Sequence, residues 1–287
     1  METNWGETTV AEFYREQSYG KLNLSGQVFD WYTAKHERSY YDNKKAELVM
    51  EAAEYYRAQG VDFSQFDGDG DGVIDAVTYH FAGDYSTDRN NPWYSGLKYN
   101  YGGTVGDMKF TTMVQVYEDA KDGWNKMIET ICHELGHTLG LPDLYSEVAL
   151  GTDPTTDLMS ANKPALSPYT KILLGWIDTV KVITEETNNI RLDLYGNESP
   201  GSVAIVTDSF NGLFDEFYLV AYRQYGEYTY AVIWHIDARL NESGSGFAYQ
   251  NLYYTPVPIR IIRTLRDIPL RICLSRRYLP ILPWTLF

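Results

Sequence analysis

The run Cys132-His133-Glu134-Leu135-Gly136-His137-Thr138-Leu139-Gly140-Leu141-Pro142-Asp143 reads H-E-x-x-H-x-x-G-x-x-D and restricts the chain more than any other part of it. Residues four apart share one face of an α-helix, about 6 Å along its axis. His133 and His137 can therefore aim both imidazoles at one ion. Glu134 directly follows the first of them, where a general base must sit beside a metal-activated water. Gly140 falls where a helix beginning near Asp122 or Gly123 should stop, because glycine takes the left-handed conformation at little cost. Pro142 stiffens the turn and Asp143 arrives as a third ligand, giving two nitrogens, one oxygen and an exchangeable water on zinc. Ile128, Ile131, Leu135 and Leu139 supply an apolar helix face separate from the histidines.

A second stretch carries metal chemistry. In Phe66-Asp67-Gly68-Asp69-Gly70-Asp71-Gly72-Val73-Ile74-Asp75, carboxylates alternate with glycines that let the backbone fold tightly. That is what a hard, oxygen-seeking cation such as Ca2+ needs. Asp67, Asp69, Asp71 and Asp75 match the side-chain positions of a calcium loop, Val73 its backbone carbonyl position, and Gly72 the sharp turn. Thr78 stands where a bidentate glutamate belongs, and Ala76–Ala82 is strand-like, so the loop is expected to feed a strand instead of a helix.

Composition limits the partners. With 287 residues, 44% hydrophobic and 15% aromatic, the chain can bury a sizeable core. A net charge of -15 with no basic stripe through the body argues against nucleic acid. No apolar run reaches the roughly 20 residues of a membrane span. The first residues, Met1 to Gly6, have neither a basic nor an apolar signal-peptide region. Two cysteines, Cys132 and Cys273, are too few for a disulfide scaffold. Cys132 is read as a small buried hydrophobe, with a thiol ligand or a disulfide as alternatives.

The periodicity predicts a short helix over Thr9–Tyr19, a strand over Leu22–Trp31, and a helix over Ala46–Gln59 stopped by Gly60. Residues Asp84–Gly106 read as a long surface loop, and Lys109–Tyr117 as a strand ahead of the zinc helix. That strand is expected at a sheet edge, where extended peptide could pair with it. Ser167-Pro168 forms a cap and first-turn pair for a helix reaching Leu174 and closed by Gly175. Strand signals then recur over 182–183, 190–194, 203–206, 216–222 and 228–236. His36, His80 and His235 are read as structural.

The zinc segment follows the logic of the metzincins, whose usual third ligand is a histidine, and Asp157-Leu158-Met159-Ser160 stands where their Met-turn would lie. Together with Tyr14–Leu22, the Phe66–Asp75 loop, Leu174-Gly175-Trp176 and Ile233-Trp234-His235-Ile236-Asp237, these segments resemble the secreted bacterial zinc metalloproteases like immune inhibitor A, over roughly Thr9–Leu240. The resemblance implies an extracellular endopeptidase acting on protein or peptide substrates, with catalytic zinc and structural calcium. By position, His133, His137 and Asp143 would be the ligands, Glu134 the base and Met159 the Met-turn. Family members have a hydrophobic first strand ahead of the segment that opens here, so the chain is expected to begin inside the catalytic domain.

The expected fold is therefore α+β: a metzincin-like catalytic domain over residues 1–178, containing the active-site helix, followed by a β-rich extension over 179–258. Residues 259–287 are atypical, with six arginines, one acid and a net +5 against -20 for the rest, which suggests a basic binding tail or, preferentially, an out-of-frame stretch. Two rivals to the protease reading stand: a calcium-dependent binding module with an inactive or structural zinc site, and a zinc hydrolase of non-peptide substrates.

Overall fold

The computed structural model describes residues 8–83, 91–94, 96–99, 102–117, 124–144, 157–161, 165–185, 187–188, 190–195, 199–225, 228–243, 262–263 and 271–272. Helix α1 (Val10–Gln17) starts with a reciprocal cap. Thr9 Oγ1 accepts from the Glu12 amide at 3.2 Å, and the Glu12 carboxylate accepts from the Thr9 amide at 2.9 Å, so two orphan donors are satisfied at once. The chain divides into two compact units, Asn4–Phe13 with Asn23–Pro142, and Tyr14–Leu22 with Asp143–Phe287.

In the first unit, helix α2 (Lys45–Ala58) precedes strands β1 (Thr78–Phe81), β2 (Gly96–Tyr99), β3 (Thr104–Val105), β4 (Met108–Lys109) and β5 (Thr112–Tyr117). Helix α3 (Trp124–Thr138) follows. The sheet order is β1-β5-β2, with β1 parallel and β2 antiparallel to β5, while β3 and β4 form a separate hairpin. Strand β5 is buried from Met113 through Tyr117, as expected of a strand covered on both faces. Val114 and Val116 face Val10, Met127, Ile131 and Leu135. On its other side Tyr117 joins Tyr41, Phe81 and Trp93. Gln115, fully buried, donates to the Tyr94 carbonyl at 2.8 Å and accepts from the Tyr79 hydroxyl at 3.0 Å.

Three sequence expectations are corrected here. Strand β5 lies at the centre of its sheet, because both its edges are already paired. The loop expected over 84–106 contains β2 and β3, whose short, glycine-flanked runs hide the strand signal. Leu22–Trp31 forms no strand at all: it is an irregular coil tied down by side chains. Phe29 packs on Tyr56, Phe63 and Phe66, and the Tyr56 hydroxyl donates to the Asp30 carbonyl.

The second unit contains a short helical turn α4 (Leu158–Ala161), helix α5 (Pro168–Leu173), and strands β6 (Val180–Ile183), β7 (Thr187–Asn188), β8 (Leu194–Tyr195), β9 (Val203–Val206), β10 (Glu216–Tyr225), β11 (Tyr228–Asp237), β12 (Ile262–Arg263) and β13 (Arg271–Ile272). Strands β12-β11-β10-β9-β6 form one sheet, with β8 also on β10 and a separate β7–β13 pair. Alternation sorts its residues: Val203, Ile205, Leu219, Ala221, Val232 and Trp234 pack with Tyr169 and Ile177, whereas Ala204, Val206 and Val220 face the other way. The strand expected over 190–194 shrinks to Leu194–Tyr195. The Arg-rich stretch 259–287 lies outside the described residues apart from β12 and β13.

The coil over 23–36 is anchored to α2 by Glu51, whose side chain is 7% exposed. Its carboxylate accepts from the Tyr32 hydroxyl at 2.6 Å, the Lys35 amide at 2.9 Å and the Tyr41 hydroxyl at 3.0 Å. Burial pushes the Glu51 carboxyl up, but those three donors and the Lys35 charge outweigh it and hold the carboxyl below its ordinary value. A lowered folded value means stability present above the unfolded-state carboxylate range and lost as pH falls through the folded value. We expect Glu51→Ala to lower unfolding free energy by about 2 kcal/mol at neutral pH, read by urea denaturation. The gap to the wild type should narrow as the pH is taken below 4.

Candidate functional site

Helix α3 is oriented by its apolar face. Met127, Ile131 and Leu135 rest on Val114 and Val116 of β5. That leaves His133 and His137 on the side away from this contact, one turn apart, with ring centroids 5.0 Å apart and planes at 86°. His133 is 5% exposed. Cys132 is fully buried and in no disulfide, and burial pushes its thiol up, which disfavours the reactive thiolate.

The helix ends where Gly140 takes φ +90°. Its amide donates to the His137 carbonyl at 2.9 Å, and the Leu141 amide donates to the Gly136 carbonyl at 3.1 Å, a Schellman closure. This turn sends the Leu141 carbonyl back toward the helix, where it lies 2.8 Å from His137 Nδ1. A carbonyl only accepts, so Nδ1 carries a proton, and in the neutral ring Nε2 is the nitrogen with the lone pair. That is the tautomer a metal-binding histidine needs.

Two residues further on, Asp143 brings a carboxylate to the same place. One ligand atom each from His133, His137 and Asp143 lie within 4.8 Å of one another. All three belong to one continuous segment, 133–143, so their grouping follows from the helix and its closing turn. Two imidazoles, one fixed in the correct tautomer, and one carboxylate are a donor set that fits a small divalent cation such as zinc. Glu134, next to His133 on the helix, is half-buried.

Met159 lies in α4 and is fully buried, and its carbonyl accepts from the amide of Leu144 at 2.8 Å. Asp157, two residues before it, is also buried and accepts from the Met159 amide at 2.8 Å. The sequence reading assigns Asp157 no role of its own. The available signal was an acid two residues ahead of the methionine and ten ahead of the Ser167-Pro168 cap.

In the acidic loop, one carboxylate oxygen each from Asp67, Asp69 and Asp71 lie within 4.8 Å of one another. Asp67 accepts from the amides of Gly70, Asp71 and Gly72, and Asp71 accepts from that of Val73. The Asp75 carboxylate accepts from the Gly68 amide at 3.1 Å and is not part of that three-residue group. His235 pairs with Glu216 at 3.0 Å, and Arg239 bridges Glu216 and Asp237. Among the described residues, neither it, His36 nor His80 belongs to a potential metal group.

Residues 3–163 match the profile of the immune inhibitor A peptidase M6 catalytic domain. No match to the chain was found among curated proteins or among solved structures. No described helix is long and apolar enough to cross a membrane.

A Cβ at Gly140 would meet nothing within 4 Å, so substitution there acts through the left-handed backbone alone. We expect Gly140→Ala to destabilise the metal-free protein by about 1–2 kcal/mol. Gly140→Asn should lose less, both read by chemical denaturation.

Proposed function

Because the chain belongs to the immune inhibitor A peptidase M6 family, we propose that it is a zinc-dependent endopeptidase in which His133, His137 and Asp143 hold the metal and Glu134 moves the proton. The observation that carries this reading is the convergence of those three side chains within 4.8 Å, with His137 already in the ligating tautomer. Zinc, when bound, supplies a Lewis acid that acidifies a water and polarises the scissile carbonyl. Glu134 takes a proton from the attacking water and delivers it to the amide nitrogen as the carbon–nitrogen bond breaks. The Cys132 thiol is fully buried, away from where a substrate could reach it.

Metzincin-like use of the sheet is part of the proposal, with the substrate on β2 and not on β5. Strand β2 is antiparallel to β5, lies beside α3, and among the described residues is paired on one side only. An extended peptide added there would run along the metal helix. Met159 serves as the turn beneath the metal. We further propose that the loop of Asp67, Asp69 and Asp71 takes structural calcium, with the Val73 carbonyl and Asp75 completing it, and that the protein works outside the cell, as the resemblance implies.

Two outcomes test this. Glu134→Ala should retain about one zinc per chain while kcat/KM on casein falls by about 10²–10⁴-fold, with zinc-selective chelation abolishing wild-type activity. Substantial turnover by Glu134→Ala would remove its role. Millimolar calcium should raise the thermal midpoint of the wild type and leave Asp69→Ala unmoved; an equal shift in both would remove the calcium site.

A further inference from the structure

Asp157 makes contacts that a helix cap alone does not call for. It is 1% exposed, and its two oxygens collect three donors: the Met159 amide on Oδ1 at 2.8 Å, and the Ser167 amide and Thr170 hydroxyl on Oδ2, both at 2.6 Å. The Thr170 hydroxyl also lies 2.9 Å from the Ser167 carbonyl. Carboxylate and carbonyl both only accept, and the shorter distance shows that the Thr170 hydroxyl donates its hydrogen chiefly to Asp157. Helix α5 already has its own cap, since Ser167 Oγ accepts from the Thr170 amide at 3.4 Å. The carboxylate instead ties the start of α5 to the backbone of Met159.

That backbone leads directly to the metal segment. The Met159 carbonyl accepts from the amide of Leu144, the residue after Asp143, at 2.8 Å. The Leu158 amide donates to the Ala165 carbonyl at 2.7 Å, closing the same turn from its other side. A connected path therefore runs from α5 through Asp157 and Met159 to the peptide that carries Asp143. Asp143 follows a helix end and a proline, and the Leu144–Met159 hydrogen bond fixes the peptide on its C-terminal side.

We propose that Asp157 is a positioning residue for the metal site: through the Met159 peptide it fixes the backbone at Asp143, and so sets the geometry and strength with which Asp143 binds the metal. This rests on the reading of Asp143 as a ligand. Asparagine cannot replace the carboxylate, because in either orientation its amide group points a donor at a backbone N–H, that of Met159 or that of Ser167.

The test measures metal affinity and not only turnover. Zinc dissociation constants are obtained for the full chain by competition with a chromophoric chelator, and the visible bands of the cobalt-substituted protein report coordination. Asp157→Asn is expected to weaken zinc about 10–100-fold and to alter the cobalt bands. Leu219→Ala, in the fully buried core of β10, is the control for general destabilisation of the same unit and should change neither. Thr170→Val removes one donor from Asp157 and should shift affinity in the same direction by less; it carries the test if Asp157→Asn does not fold. Zinc affinity and cobalt bands that match the wild type, or that move no further than in Leu219→Ala, overturn the proposal. Asp143→Ala separates the two levels: if it keeps wild-type zinc affinity, the ligand reading itself fails, whereas loss of zinc there with none in the Asp157 and Thr170 variants sinks only the positioning role.

Discussion

Everything at the site depends on how one helix lies on one strand. Met127, Ile131 and Leu135 of α3 bury against Val114 and Val116 of β5, and a helix has only one rotation about its axis that satisfies such a contact. Once that rotation is set, His133 and His137 are committed to a common direction. The apolar pairing is worth a few kcal/mol by area, on the order of 25 cal/mol per Å² buried. Its larger effect is directional, because it removes the freedom to turn the imidazoles away from each other.

The ends of the helices do the remaining positioning. α2, α3 and α5 all close with the same paired backbone bonds, at Gly60, Gly140 and Gly175, and α1 does so with Tyr19 in the left-handed region at φ 58°. At α3 this closure has a chemical by-product. The reversed chain places the Leu141 carbonyl on His137 Nδ1, so the turn that ends the helix also selects the tautomer. Tyr19 is held in its unfavourable backbone by Lys171, whose ammonium lies 4.6 Å from the ring centre and donates to the hydroxyl at 3.2 Å.

What was legible in the sequence was local. The helix through His133 and His137, its stop at Gly140, the Ser167-Pro168 start of α5 and the alternating strands β9 to β11 all follow from spacing within about a turn or a pleat. The sequence also carried the family resemblance. What stayed hidden was pairing. Nothing within Thr112–Tyr117 tells that β5 has neighbours on both sides, since that depends on β1 and β2, far along the chain. The coil 22–31 misled because apolar residues such as Phe29 alternate there to meet an aromatic cluster, not a neighbouring strand. Asp157 has no role legible in the sequence because its partners, Ser167 and Thr170, are ten and thirteen residues on.

The central place of β5 also has a kinetic consequence. Its parallel partner pairs Tyr79 with Gln115, 36 positions apart, and that pairing must close a long loop before it returns any favourable contact. Until both edges of β5 are occupied, α3 has no finished surface to bury on, and its histidines have no fixed direction. On a path that forms this pairing first, an ion bound at the metal segment would stabilise the finished state more than the barrier leading to it, and would slow unfolding without speeding folding.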